Sequence, residues 1–139
     1  MYKNQNTLSK ITEFVGIGLH SGEKVKIILT PAAVDTGVRF QINDSLIPAT
    51  WKNAIVSQLC TRIKLKDVAI STIEHLMAAI SGLGITNLLI KINSNEVPIL
   101  DGSSKEFVDQ IKSVGIKDQK KPQKVLKILK KVEYRDKEK

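Results

Sequence analysis

The chain has 139 residues, 42% of them hydrophobic and 26% charged, a globular composition long enough for one domain with its own core. No apolar run approaches the ~20 residues of a membrane helix, residues 1–10 lack the apolar stretch of a signal peptide, and the single cysteine, Cys60, excludes an internal disulfide and a cysteine zinc cluster. A cytoplasmic location is the expectation. The net charge of +8 raises nucleic acid as a partner, but residues 117–139 hold ten Lys and Arg against four acids, so six of the eight charges sit at one end. Tyr134 is the only aromatic residue there, and no stacking platform accompanies the charge. A solvated basic end is expected rather than a nucleic-acid interface.

Residues 7–15 alternate polar and apolar, which predicts a strand. Three glycines in Gly16-Ile17-Gly18-Leu19-His20-Ser21-Gly22 predict a loop or tight connection. Strands are predicted at 24–30, stopped by Pro31, and at 38–42, followed by the turn-like Asn43-Asp44-Ser45. Residues 47–56 read as extended chain broken by Pro48. Ser71-Thr72-Ile73-Glu74 has the pattern of a capping box, which predicts a helix starting at Ser71 or Thr72 with Ser71 as its N-cap. Ile73, Leu76, Met77 and Ile80 share one helical face, while Ala78, Ala79 and Leu83 make the other side apolar, so a helix covered on both sides is expected. Gly82 and Gly84 are expected to end it.

A strand is predicted over 85–92, then a polar connection over 95–104. A second helix over 104–114 carries Phe107, Val108, Ile111 and Val114 on one stripe and stops at Gly115. Alternation over 124–132 predicts a final strand. The order of elements predicts an α+β fold, a two-layer mixed sheet with two helices on one face. The expected division is a domain over 1–123 and a basic strand and tail over 124–139 that begins something further.

His20 and His75 are the only histidines, so a metal or acid–base scheme that uses histidine must use these two. Glu74 and His75 are adjacent on a helix and point about 100° apart, so they do not chelate one ion from a single face. They can divide the labour instead, the imidazole holding a metal and the carboxylate moving a proton. The same spacing also fits a capping glutamate beside a packed or surface histidine. Cys60 reads as a small buried hydrophobe rather than a reactive thiol, and Asp101, in Asp101-Gly102-Ser103, as a turn residue capping the next helix.

Ser71-Thr72-Ile73-Glu74-His75-Leu76 resembles the metal-binding helix of the zinc-dependent UDP-3-O-acyl-N-acetylglucosamine deacetylases of lipid A biosynthesis. Three further segments are similar to that family in order and spacing: the Gly16–Gly22 loop, Leu59-Cys60-Thr61, and Glu96-Val97-Pro98-Ile99-Leu100-Asp101-Gly102-Ser103. The resemblance implies that His75 is one of three zinc ligands and Glu74 the general base for hydrolysis of the acetamide. It implies that Leu59, Cys60 and His20 lie near the substrate, a UDP-3-O-acyl-N-acetylglucosamine. The family's other two ligands lie in a His-Lys-x-x-Asp motif of a second domain, and a later histidine is its general acid. No histidine follows His75 here.

The resemblance therefore implies the N-terminal half of a zinc amidase, inactive without a second domain. The alternative is a non-catalytic relic or protein-interaction module of the same fold. In the family the helices lie between two sheets, so a homodimer or a second-domain partner is expected to cover the apolar side of the helix layer.

Overall fold

The computed structural model describes residues 3–136, and residues 137–139 of the tail lie outside them. Ten strands and two helices follow in chain order: β1 Asn4–Leu8, β2 Thr12–Ile17, β3 Lys24–Pro31, β4 Val38–Ile42, β5 Ser45–Pro48, β6 Ala54–Ile55, β7 Arg62–Leu65, β8 Val68–Ile70, α1 Glu74–Gly82, β9 Leu88–Ile92, α2 Lys105–Val114 and β10 Ile116–Pro122. A single 3-10 turn, Trp51–Asn53, precedes β6.

The main sheet has the order β2-β3-β9-β4-β5. It is antiparallel except where β4 runs parallel to β9. Alternation decides its buried face. Val25, Ile27 and Leu29 of β3, Leu88 and Ile90 of β9, Phe40 of β4 and Ile47 of β5 have no exposed surface. Leu76 and Ile80 of α1 and Phe107 and Ile111 of α2 complete the same core. The Phe107 ring lies 4.9 Å from that of Phe14 on β2, tilted by 58°, an inclined contact that avoids the face-to-face sandwich aromatic quadrupoles disfavour. The expected two-layer α+β arrangement is therefore present, with two small sheets added to it: β1-β10 and β6-β7-β8.

The structure departs from the sequence-based reading where tertiary pairing overrides a local pattern. The strand expected over 7–15 is two strands. β1 pairs with β10 and β2 with β3, and the chain changes sheets at Ser9, whose amide bonds the carbonyl of Gly115 at 2.9 Å. Alternation continues across the change, so periodicity carries no sign of it. The strand expected over 85–92 begins at Leu88, because the amides of Thr86 and Asn87 both bond the Asn6 carbonyl. The strand expected over 124–132 does not form. β10 takes the free edge of β1 instead, the amide of Gln123 makes a last bond to Lys3, and residues 124–136 carry no regular structure.

The first helix starts at Glu74, and Ser71 is not its N-cap. Ser71 is held in a parallel bridge to Glu96: its amide bonds the Asn95 carbonyl at 2.9 Å and its carbonyl accepts from the Val97 amide at 3.1 Å. Glu74 likewise turns its carboxylate to the Thr61 amide rather than back to residue 71. The far side of α1 is also less apolar than its composition suggests. Ala79 is buried and Leu83 packs on the core, which leaves Ala78 exposed. The second helix follows its predicted span to within one residue, and Gly115 ends it at φ 82°, a conformation open to glycine.

Phe107 joins α2 to both the sheet and β2. Phe107→Ala is expected to cost about 3–5 kcal/mol, read as a lower midpoint in urea denaturation. Lys112→Ala, on the exposed side of the same helix, is expected to stay within about 0.5 kcal/mol of the parent.

Candidate functional site

The loop between β2 and β3 is tied into a tight turn by two bonds, from the Gly18 amide to the Glu23 carbonyl and from the Gly22 amide to the Gly18 carbonyl, both 2.9 Å. This presents the amides of His20 and Ser21 in the same direction, towards the carboxylate of Glu96. Glu96 Oε2 accepts from the Ser21 amide at 2.8 Å, and Oε1 from the His20 amide at 3.0 Å. The Thr72 hydroxyl donates to Oε1 at 2.9 Å, and His20 Nδ1 lies 2.9 Å from the same oxygen. Glu96 is 3% exposed. A Cβ on Gly18 would collide with Ser21 Oγ and lie 2.5 Å from Glu96 Oε2, so only glycine lets the loop close on the carboxylate.

Burial disfavours the charge of Glu96. The amides of His20 and Ser21 outweigh it, with further bonds from the two side chains, and bring its pKa down to about 2. Thr72 reaches this carboxylate from φ 57°, a left-handed conformation that costs a β-branched residue energy. Its position is two residues before the helix. The glycine–histidine loop, the entry to α1 and the segment after β9 thus meet at one buried charge.

Beside this junction runs a shallow groove of about 430 Å³, lined by His20, Ser57, Cys60, Arg62, Ser71 and Asn95 among others. His20 is partly exposed there, 43% at the side chain. Cys60 is half-buried, its sulfur 3.2 Å from Ser57 Oγ. Leu59 is 92% exposed at φ 59°. The small β6-β7-β8 sheet holds this stretch in place through Ile63 and Ile70, both buried in the core.

Glu74 and His75 occupy the first two positions of α1. Glu74 Oε2 accepts from the Thr61 amide at 2.8 Å, which ties the helix start to the residue after Cys60. A carboxylate in the first helical turn is also favoured by the unpaired amides there. His75 is half-buried, and its Nδ1 is buried with no hydrogen-bond partner. The structure therefore brings His20 and Cys60 together along the groove and sets Glu74 against the Cys60–Thr61 segment. His20 and His75 share no hydrogen bond. Asp101 turns to the amide and hydroxyl of Ser103, both at 2.9 Å, which hold its carboxyl below the usual range. The Ser103 hydroxyl in turn accepts from the Lys105 amide at the head of α2, in keeping with a turn role.

The described residues contain no group of three His, Cys, Asp or Glu side chains placed to hold a metal ion. The orphaned ring nitrogen of His75 fits one position in a ligand set, and the rest of a set is not supplied by these residues. Glu96 and Thr72 stand in segments that carry the family resemblance, but neither is among the candidate site residues read from the sequence. A single acid before Val97-Pro98 resembles any loop carboxylate, and only its burial among donors separates it from them.

Residues 5–139 match the family LpxC, UDP-3-O-acyl N-acetylglycosamine deacetylase. Two similar proteins carry the name UDP-3-O-acyl-N-acetylglucosamine deacetylase. One, from Teredinibacter turnerae, is 43% identical over 97% of this chain and 46% of its own length. The other, from Thioalkalivibrio sulfidiphilus, is 44% identical, again over 97% of this chain and 46% of its own length. The chain spans about half the length of the curated relatives it matches.

The lowered pKa of Glu96 makes stability depend on acid. The unfolded carboxyl titrates near 4.5 and the folded one near 2, so the stabilisation is complete above the first value and lost as pH falls towards the second. It amounts to roughly 3 kcal/mol. Urea midpoints are expected to drop as pH falls from about 5 towards 2, and Glu96→Gln to lower stability at neutral pH while flattening that dependence.

Proposed function

The chain belongs to the LpxC family of UDP-3-O-acyl N-acetylglycosamine deacetylases, and we propose that these residues form the amino-terminal half of such an enzyme, whose site a second half completes. The observation that carries this reading is the pair Glu74–His75 at the head of α1, where an imidazole nitrogen is buried without a partner beside a carboxylate anchored on Thr61. His75 would be one ligand of a zinc ion, and the remaining ligands would come from the second half. Zinc, when bound in such a site, polarises an acyl oxygen and lowers the pKa of water. Because the described residues supply one ligand and not a set, no reaction step is assigned to this chain through the metal.

What the chain's own residues contribute follows from their geometry. Glu74 Oε2 is engaged by the Thr61 amide, which fixes the carboxylate's orientation and leaves its other oxygen to take a proton as general base. Leu59, Cys60 and His20 would form part of the wall beside the sugar of UDP-3-O-acyl-N-acetylglucosamine. Leu126, Leu129 and Val132 of the basic end are 89%, 78% and 78% exposed, which supports a role for residues 124–136 as the start of the second half. No helix among the described residues is long and apolar enough to cross a membrane, and a cytoplasmic site of action is part of the proposal.

The test is complementation. Deacetylase activity on UDP-3-O-acyl-N-acetylglucosamine is expected only after the chain is mixed with a fragment carrying the remaining half of a relative. Glu74→Ala is expected to lower that activity by about 10²-fold or more. Activity of the chain alone would overturn the half-enzyme reading. Stoichiometric zinc retained by the purified chain after dialysis would do the same, since it requires a ligand set within these residues.

The exposed apolar end also predicts association. Sedimentation velocity at high micromolar concentration is expected to show self-association that the second-half fragment abolishes. A monodisperse monomer would count against the homodimer.

A further inference from the structure

We propose that Glu96 is a positioning residue that fixes a proton on His20 Nδ1, so that in the neutral ring Nε2 serves as a hydrogen-bond acceptor for a hydroxyl or amide N–H of a ligand in the adjacent groove. The argument begins with donor and acceptor capacity. An ionised carboxylate can only accept. Glu96 is ionised across the neutral range, because two backbone amides and the Thr72 hydroxyl already donate to it. His20 Nδ1, 2.9 Å from Glu96 Oε1, must therefore be the donor in that contact. The Thr72 hydroxyl lies farther from Nδ1, at 3.4 Å, and its proton is committed to Glu96. In a neutral imidazole a proton on Nδ1 leaves the lone pair on Nε2.

The same carboxylate fixes where that ring sits. It holds the backbone amide of His20 as well as its side chain, so both ends of the residue are anchored to one buried group. Gly18 is what permits this approach, since any side chain there would meet the carboxylate. A partly exposed histidine on a surface loop ordinarily samples several rotamers and both tautomers. Here the side chain is restricted to one donor arrangement while lining a groove with Cys60 and Arg62. The ligand class rests on the preceding reading, in which a sugar nucleotide with hydroxyl and acetamide N–H donors lies beside His20. The tautomer and its cause do not rest on it.

The first test uses the chain alone. Long-range nitrogen–proton NMR of the imidazole rings, read on the neutral form, is expected to show His20 protonated at Nδ1 and bare at Nε2, and Glu96→Gln to give a mixture of tautomers. Thr72→Val, which keeps the carboxylate, is expected to preserve the wild-type pattern and so separates the histidine contact from general loosening of the loop. A neutral ring in the wild type with its proton on Nε2 overturns the proposal whether or not any variant folds.

The second test uses the complemented enzyme. Glu96→Gln and His20→Ala are each expected to lower kcat/KM on the order of tenfold, and the double variant no further than the worse single, because Glu96 acts through His20. Additive losses would overturn the coupling. If mixing yields no activity the half-enzyme reading fails, and the tautomer measurement still decides the role of Glu96.

Discussion

A carboxylate taken out of water must find donors, and the burial of Glu96 imposes that requirement on three segments far apart in the chain. Its charge would be costly at 3% exposure were it not met by the amides of His20 and Ser21 and the hydroxyl of Thr72. Meeting it has consequences at each end. The glycine–histidine loop must curl so that adjacent amides converge, which is why Gly18 has no room for a Cβ. Thr72 must adopt a left-handed backbone, which prevents the helix from beginning at Ser71. The helix therefore starts at Glu74, and Glu74 and His75 become its first two residues. The place of the candidate chemistry in the fold is a consequence of where one buried charge finds its partners.

The core beneath this junction is conventional in its physics. Fully buried aliphatic residues on alternate positions of β3 and β9 meet the stripes of α1 and α2, and the tilted pair of Phe14 and Phe107 joins the edge strand to the second helix. A second polar cluster supports the far end. Asn87, 1% exposed, donates to Gln5 at 2.8 Å and to Gln119 at 2.7 Å, and accepts from the Gly37 amide. It thereby binds β1, β10 and the turn before β4 to the main sheet. Both clusters follow one rule: a buried polar group in this fold is fully engaged and joins distant segments. Nδ1 of His75 is the exception among the described residues, and it lies at the candidate site.

The basic end belongs to a different regime. Beyond Pro122 the chain has no strand edge to join, and Val125, Leu126, Ile128, Leu129 and Val132 are exposed between lysines. Alternation supplies a strand's pattern there, but strand formation needs a partner edge, and β10 has already taken the one that β1 offers. About half of the protein's net charge sits on this stretch, and residues 117–122 of β10 add two more positive charges.

By itself, the sequence determined what depends on local pattern or on counting. The second helix and its glycine stop, the strands around Ile27 and Phe40, the α+β class and the shortage of histidines after residue 75 all lie in the order of residues. So did the resemblance, because the four segments that carry it are each short and contiguous. Tertiary structure alone decided the sheet change at Ser9, the late start of the first helix, the absence of a strand over 124–132 and the role of Glu96. Each turns on hydrogen bonds between residues far apart in the chain: Ser9 with Gly115, Ser71 with Asn95 and Val97, and Glu96 with His20 and Thr72. Periodicity and capping patterns register only neighbours within a few positions. A partner about 25 to 105 residues away leaves no mark on them, and a group outside that local window can take a carboxylate from a local bond, as the Thr61 amide takes that of Glu74.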